Sequence, residues 1–334
     1  MEKITLSCGD GGKLTYNLIK NVFVKHFKNE YLEKLQDASF LKIGDEDICF
    51  TTDSYTVSPI FFSGGDIGKL SICGTINDLS VSGATPLFLS SSFIIEEGLD
   101  FETLEKIVIS MANESKKENI KITTGDTKVV EKGKVDKIFI NTSGIGIKDK
   151  RMKLGIERIK LGDLIIINGD IGLHGLSIIT KREGIEFESE IKSDCSSLYP
   201  LVKEIFQFGE NIKFMRDPTR GGVAATLNEI VIKSDIGIKI YKKKIPVSKE
   251  VNSLCEILGF DPLYIANEGK IIIIVDRKYG EKVVDVMRKQ KSGKKAEIIG
   301  EVTDKIKRKV LIETEIGVER VVEFQSGAQF PRIC

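Results

Sequence analysis

Apolar positions along this chain switch between a spacing of three to four and a spacing of two, and the switches mark out its elements. After the glycine turn "CGDGG", Leu14, Leu18, Ile19 and Val22 recur at helical intervals, predicting an amphipathic helix through about His26, with His26 as a packing residue. The runs "DICFTTD" and "TPLFLSSSFII" read as buried strands, separated by the glycine-rich stretch "SGGDIGKLSICGTINDLSVSGATP". From Asp100, a predicted N-cap, the face Phe101, Leu104, Val108 and Met111 predicts a second helix ending near "KKEN". Two strands follow, "IKITTGD" and "KIFINTSGIGI", joined by a charged turn.

A basic linker, "KDKRMKLGIERIKLGD", then leads to the strand "LIIING", where the alternation of strands and helices begins again. The boundary between two domains is placed there, near residue 155. Val223, Leu227, Ile230 and Val231 form a helical face directly after the paired glycines of "DPTRGG". Beyond it come a strand in "KIIIIVD", a helix in "EKVVDVM", a strand in "AEIIGEV" and a strand pair in "KVLIE" and "VERVVEF". The prediction is an α+β protein of two domains with mixed sheets, residues 1–154 and 155–324, followed by a flexible tail over 325–334.

Composition narrows the class. With 334 residues, 41% hydrophobic and 30% charged, the chain suits two folded domains rather than a disordered or membrane-spanning protein. A net charge of +1, with basic clusters as short as "YKKKI" and "KSGKK" and no aromatics among them, argues against nucleic-acid binding. The N-terminus lacks a basic segment followed by an apolar stretch, so the expected location is cytoplasmic, with no membrane contact. Six scattered cysteines and two histidines encode neither a disulfide framework nor a zinc site. Cys8, Cys49, Cys73, Cys195 and Cys255 read as small buried hydrophobes. Cys334, the last residue, does not, because no apolar periodic segment holds it.

Four aspartates stand where apolar runs end: Asp53 in "FTTD", Asp78 in "TIND", Asp126 in "TTGD" and Asp217 in "FMRDPTRGG". Each alone would serve as a turn former or helix cap. Together they offer the hard oxygen ligands that Mg2+ takes, and the surrounding glycines offer backbone amides for phosphate. Standard nucleotide motifs do not fit: "SGGDIGKL" has Ser63 and Leu70 where a P-loop needs Gly and Ser or Thr, and "SGIGIKD" lacks the last glycine of a dinucleotide fingerprint.

The segments "TTDSYTVSPIFFSGGDIGKLSICGTINDLSVSGATPLFLS", "TGDTKVV", "NGDIGLHGLSIITKREG", "DPTRGGVAATLNEI", "ANEG" and the ending "PRIC" together resemble the HypE family of carbamoyl dehydratases of NiFe-hydrogenase maturation. The resemblance covers nearly the whole chain, and "PRIC" is its most specific part. It implies two domains of the PurM-like ATP-using superfamily, shared with aminoimidazole ribonucleotide synthetase, selenophosphate synthetase and thiamine-phosphate kinase. It further implies ATP and Mg2+ as cofactors, with the metal on Asp53, Asp78, Asp126 and Asp217. Those four, with Gly65, Asp66, Lys69, Asn77, Gly125, Thr219, Arg220, Gly221 and Gly222, would surround the nucleotide.

By the same resemblance, the carbamoyltransferase HypF loads a carboxamide onto the Cys334 thiol, ATP-driven dehydration turns it into a thiocyanate, and a HypC–HypD complex receives the cyanide. Glu268 in "ANEG" is the candidate proton acceptor, Lys128 would bind leaving phosphate or pair with Glu268, and His174 in "GLHG" would have a structural or substrate-orienting role. A homodimer is expected. Cys8 stands where the family usually has a histidine, and Asp10 where a small residue is common. "CGDGGK" also faintly resembles the reactive N-terminal segment of selenophosphate synthetases, which is one alternative; a non-enzymatic scaffold with a docking tail is another.

Overall fold

The computed structural model describes residues 3–9, 11–185, 191–325 and 332–334. Asp10 and most of the expected tail, 326–331, lie outside the described residues. Near the N-terminus, α1 (Lys13–Leu18) continues as wider π-helical turns over Ile19–Val24 and stays helical to His26. His26 is exposed rather than packed, because the helix rides on the surface and its apolar face is only half covered.

β1 (Ser39–Ile43) and β2 (Glu46–Tyr55) form a hairpin, β3 (Phe61–Phe62) and β4 (Gly65–Asp66) a short clip, and α2 (Ile67–Val81) follows. β5 (Ala84–Glu96), α3 (Phe101–Lys117), β6 (Lys121–Val130) and β7 (Ile138–Lys148) complete the first half. The sheet runs β1-β2-β7-β5-β6, antiparallel except for β5 and β6, which α3 joins as a parallel crossover. α3 buries Ile107, Met111 and Ser115, whereas Phe101 is 90% exposed, so its inward face is turned from the one expected.

The second half contains β8 (Leu164–Ile167), α4 (Leu173–Glu183), α5 (Tyr199–Ile205), β9 (Ile212–Arg216), α6 (Gly222–Ile232), β10 (Gly237–Tyr241) and α7 (Lys249–Leu258). β11 (Ile272–Val275), α8 (Gly280–Arg288), β12 (Glu297–Thr303), β13 (Val310–Glu313) and β14 (Glu319–Val322) follow. Its mixed sheet has the order β14-β13-β10-β12-β8-β11-β9, with β10 and β13 parallel. Both halves thus have mixed sheets and covering helices, as the alternating and helical spacings predict.

α2 joins the halves. Thirteen of its fifteen residues are buried, so it has no polar face, and periodicity could not reveal it among the glycines and serines of its stretch. Ile67, Ile72 and Ile76 share one core with Leu176 and Ile178 of α4, Val251 and Leu254 of α7, and Ile265. The five internal cysteines are all buried, as expected. Among the described residues, no helix is long and apolar enough to cross a membrane.

Candidate functional site

Strand ends from both halves converge beside α2. Asp53 lies near the end of β2, Asp78 within α2, Asp217 directly after β9, and Asp37 in the segment that leads into β1. One carboxylate oxygen from each of Asp37, Asp78 and Asp217 falls within 4.8 Å of the others. Thr51 Oγ1 lies 2.8 Å from both Asp78 Oδ2 and the Asp37 carbonyl, tying the segments together. Arg216 donates to Asp37 at 3.0 Å and to Glu229 at 2.6 Å.

Burial, reinforced by repulsion from Asp217, Asp53 and Asp37, pushes the Asp78 carboxyl well above the usual carboxylate range. Burial and the Asp37 charge raise Asp217 to about 7. Asp37 itself is raised by burial despite Arg216. A folded-state pKa above the unfolded value favours the protonated form, so this contribution to stability is complete below about pH 4 and is lost as pH rises through Asp217's pKa. The melting temperature of the metal-free protein should therefore fall by several degrees between about pH 5 and pH 8. Asp217→Asn should flatten that slope; a thermal-shift series in which the variant keeps the native slope would contradict it.

The loop after Asp217 supplies a second feature. Gly221 and Gly222 adopt left-handed φ values of 75° and 63° at the start of α6, and a Cβ on Gly222 would lie 2.5 Å from the Leu263 carbonyl oxygen. The N-terminal glycine turn packs on this loop: a Cβ on Gly11 would lie 2.8 Å from the Arg220 carbonyl oxygen, and Arg220 Nη1 donates to the Gly9 carbonyl at 2.8 Å. Between them is a cavity of about 230 Å³ lined by Gly11, Thr15, Asp217, Thr219, Arg220 and Lys233 among others. Cys8 is buried on the same turn, and hydrogen bonds from the Thr5 backbone and hydroxyl hold its thiol below the usual range.

The chain's last three residues are docked against residues 56–58 like an added strand. Thr56 N and Oγ1 donate to the Cys334 carbonyl at 3.1 and 3.2 Å, Ser58 N donates to the Arg332 carbonyl at 3.3 Å, and Arg332 Nε donates to the Thr56 carbonyl at 2.9 Å. Arg182 Nη2 reaches the carbonyls of Ser58 at 2.6 Å and Arg332 at 2.9 Å, and Arg332 Nη1 pairs with Asp136 at 2.8 Å. Ile333 is 2% exposed, and its carbonyl accepts from His174 Nε2 at 3.0 Å. The negative charge available at Cys334 is the foremost influence raising Arg220's pKa, followed after burial by Asp53 and Glu268. Arg220 thus lies at the meeting point of tail, aspartate and glutamate.

Glu268 is buried. Desolvation, then repulsion from Asp217, Asp53 and Asp194, pushes its carboxyl well above the usual range, with Arg220 opposing. Its main chain is held from two sides: Asn77 Nδ2 donates to its carbonyl at 3.2 Å, and its N–H donates to Asp194 Oδ1 at 3.2 Å.

Several expected residues stand elsewhere. Asp126 and Lys128 pair with each other at 2.8 Å on exposed β6. Register settles why they are apart: Asp53 pairs with Thr142, Thr142 with Ser91 and Ser91 with Gly125, so Gly125 rather than Asp126 shares Asp53's face. Asp126 is on the opposite face, three strand spacings or about 14 Å away. Within one chain it cannot join the other three aspartates, and Lys128 does not pair with Glu268. Asp66 caps α2, accepting from Gly68 N and Lys69 N, while Ser110 Oγ occupies its other oxygen; its bonds are structural. Gly65 packs on Phe62, Lys69 Nζ bonds the Gly64 carbonyl, and Asn77 clamps the Ser196 and Glu268 carbonyls and Leu198 N. Asp37, Arg216 and Asp194 were not foreseen; Asp37 lies in "LQDASF", beside no strong periodic run.

The chain matches two family descriptions, "AIR synthase related protein, N-terminal domain" over residues 35–148 and "AIR synthase related protein, C-terminal domain" over 160–312. It is 48% identical to a hydrogenase expression/formation protein of Methanocaldococcus jannaschii, covering 99% of this chain and 100% of that one. It is 44% identical to carbamoyl dehydratase HypE of Bradyrhizobium diazoefficiens, covering 99% and 96%. Among solved structures it is similar to HypE in a HypE–HypF complex, with a TM-score of 0.88 at 50% identity, covering 92% and 99%. It is likewise similar to HypE in complex with ATP, with a TM-score of 0.83 at 41% identity, covering 99% and 100%.

Proposed function

This chain belongs to the HypE family of carbamoyl dehydratases, and from that membership we propose how its own residues carry the reaction. It is an ATP-dependent enzyme of hydrogenase maturation, and HypF is its partner. HypF places a carboxamide on the Cys334 thiol. The amide oxygen takes the γ-phosphoryl group of ATP with loss of one N–H proton and release of ADP. The C–O bond then breaks, phosphate leaves, and loss of the second N–H proton yields the S-cyano group. Phosphorylation is what makes the oxygen a leaving group. The cyano group then passes to iron held by HypC and HypD.

The observation that carries this reading is the docked tail, with Cys334 in electrostatic reach of Arg220, and Arg220 in reach of Asp53 and Glu268. Glu268, in its ionised form, accepts an amide proton; its raised pKa makes that form a stronger base than an ordinary carboxylate, and Arg220 partly offsets the rise. Thr219, Arg220 and the backbone amide of Gly221 at the head of α6 bind phosphate, while Gly222 N closes the turn by donating to the Thr219 carbonyl at 3.0 Å. The all-oxygen group Asp37, Asp78 and Asp217, with Asp217 buried and the other two half-buried, is crowded enough to raise the carboxyl pKa values and fits Mg2+, with Asp53 beside it. Bound there, Mg2+ would neutralise charge on the transferring phosphoryl group.

A homodimer is part of the same proposal. Phe50, Ile145 and Phe88 form a cross-strand row on the outer face of the first sheet, each about 40% exposed or more, with Ile94 also open. A second copy seated on this face would cover them. Asp126 and Lys128 lie on this face, so they would reach a reaction centre only in such a pair.

The test is intact mass at Cys334 after incubation with HypF, carbamoyl phosphate and ATP. Cys334→Ala should abolish loading, whereas Cys8→Ala should leave loading and dehydration intact; the reverse would favour a selenophosphate-type reaction. ADP formation that ignores loading would favour the scaffold. Asp78→Asn should lower Mg2+-dependent ADP formation by about 100-fold without lowering the melting temperature. Unchanged turnover at saturating Mg2+ would remove the metal assignment.

A further inference from the structure

The turn Ser193–Cys195 is joined to the docked tail through His174 and directly to the main chain of Glu268. His174 of α4 is buried, with Nδ1 2.8 Å from Ser193 Oγ and Nε2 3.0 Å from the Ile333 carbonyl oxygen. A carbonyl only accepts, so Nε2 carries the proton and Nδ1 accepts from the Ser193 hydroxyl. Burial, which lowers the ring's pKa, favours this neutral form. Ser193 Oγ in turn accepts from Cys195 N at 3.0 Å, so every bond in the chain has one direction.

Asp194, the next residue, turns its carboxylate the other way. Oδ1 accepts from Glu268 N at 3.2 Å, and Oδ2 accepts from Gly269 N at 3.1 Å and Lys270 Nζ at 2.9 Å. Burial would raise this carboxyl, but Lys270 and the other partners outweigh it and keep Asp194 below the usual range. Two consecutive residues therefore face the two groups that must meet: one is bonded through His174 to the tail, and the other holds the segment carrying the base.

We propose that His174 and Asp194 are positioning residues for dehydration: His174 seats the tail by the Ile333 carbonyl, and Asp194 sets the Glu268 main chain against it. The Asp194 half rests on the reading of Glu268 as proton acceptor. A seated tail and a fixed base share one turn, so misplacing either lengthens the proton-transfer path without touching nucleotide.

The full-length protein, loaded by HypF, tests this. Asp194→Asn should lower the single-turnover dehydration rate about 100-fold, with the KM for ATP changed less than about twofold and Cys334 alkylation in the unloaded protein unchanged. Because that change strands the Lys270 charge, Asp194→Asn with Lys270→Met is measured in parallel. His174→Phe should raise the Cys334 alkylation rate about tenfold, since the seated tail loses one of its holding bonds. Asp194→Asn combined with Glu268→Gln should be no slower than Glu268→Gln alone.

If Glu268→Gln dehydrates at the native rate, the base reading fails and the Asp194 half falls with it. If Glu268→Gln is slow while both Asp194 variants are fast, the positioning proposal fails alone. Losses that add in the combined variant would reveal a general structural role for Asp194 and overturn that half. A native alkylation rate in His174→Phe overturns the other.

Discussion

Glu268→Gln will accept the carboxamide on Cys334 and then hold it, with thiocyanate formation slowed by about 10²- to 10⁴-fold. Glutamine keeps the side chain's volume and leaves the main-chain bonds to Asn77 and Asp194 available, so the fold has little reason to change. Replacing a buried carboxyl whose pKa is already raised by burial and three neighbouring acids removes repulsion, and the variant should melt no lower than the native protein. What is lost is the ability to take a proton. Intact mass separates the outcomes: the loaded species should persist with ATP present. Efficient loss of water from the loaded variant would mean that another group accepts the protons. The sign of the native pH profile follows from the same residue. Its folded pKa is raised, so the ionised base is depleted as pH falls, and dehydration should decline on the acid side well before an ordinary carboxylate would titrate.

Adding a few residues after Cys334 should reduce thiocyanate formation about 100-fold or more while leaving folding and ATP binding near native. The Cys334 carbonyl is gripped by Thr56 N and Oγ1, Ile333 is sealed in the core, and the Arg332 carbonyl is held by Arg182. These bonds leave the chain end beside Arg220, among charges that include Asp53 and Glu268. A further residue would have to be buried there, or the tail would have to unseat. Loading by HypF is a separate event, so single-turnover conversion of the already loaded chain is the measurement to make. An extended protein that converts as fast as the native one would show that the terminal position is incidental.

The strands were legible because alternation survives one-sided burial: β2, β5 and β7 each place apolar or small residues inward at every second position. α2 was not, since burial on all sides erases the contrast that periodicity reads. α3 was found with its inward face misread, because Phe101 and Val108 match the helical spacing yet lie on the exposed side. The aspartates at strand exits were visible as a group, but their partition was not. Whether Gly125 or Asp126 faces Asp53 depends on the register shift between Leu89 and Ser90, which only strand pairing reveals. Asp66 and Asn77 carry the residue types of a ligand set, and their actual partners are backbone groups of the protein itself and, for Asp66, the Ser110 hydroxyl. Asp194 and His174 act through contacts across the fold, of which spacing along the chain bears no trace.

The helix without a polar face also governs how the chain must be made. A ribosome that has released only the first 155 residues has produced α2 with the β-sheet and α3 of its own half but none of α4 or α7, so the side of Ile67, Ile72 and Ile76 that meets Leu176, Val251 and Ile265 is uncovered. That nascent half is left with an apolar surface that only the rest of the polypeptide can close, and its lifetime in that state is set by translation rather than by its own folding. Severing the chain near residue 155 would leave a fragment that aggregates, although each half has its own sheet. The catalytic groups drawn from both halves are therefore assembled in the same cooperative step that closes this apolar surface.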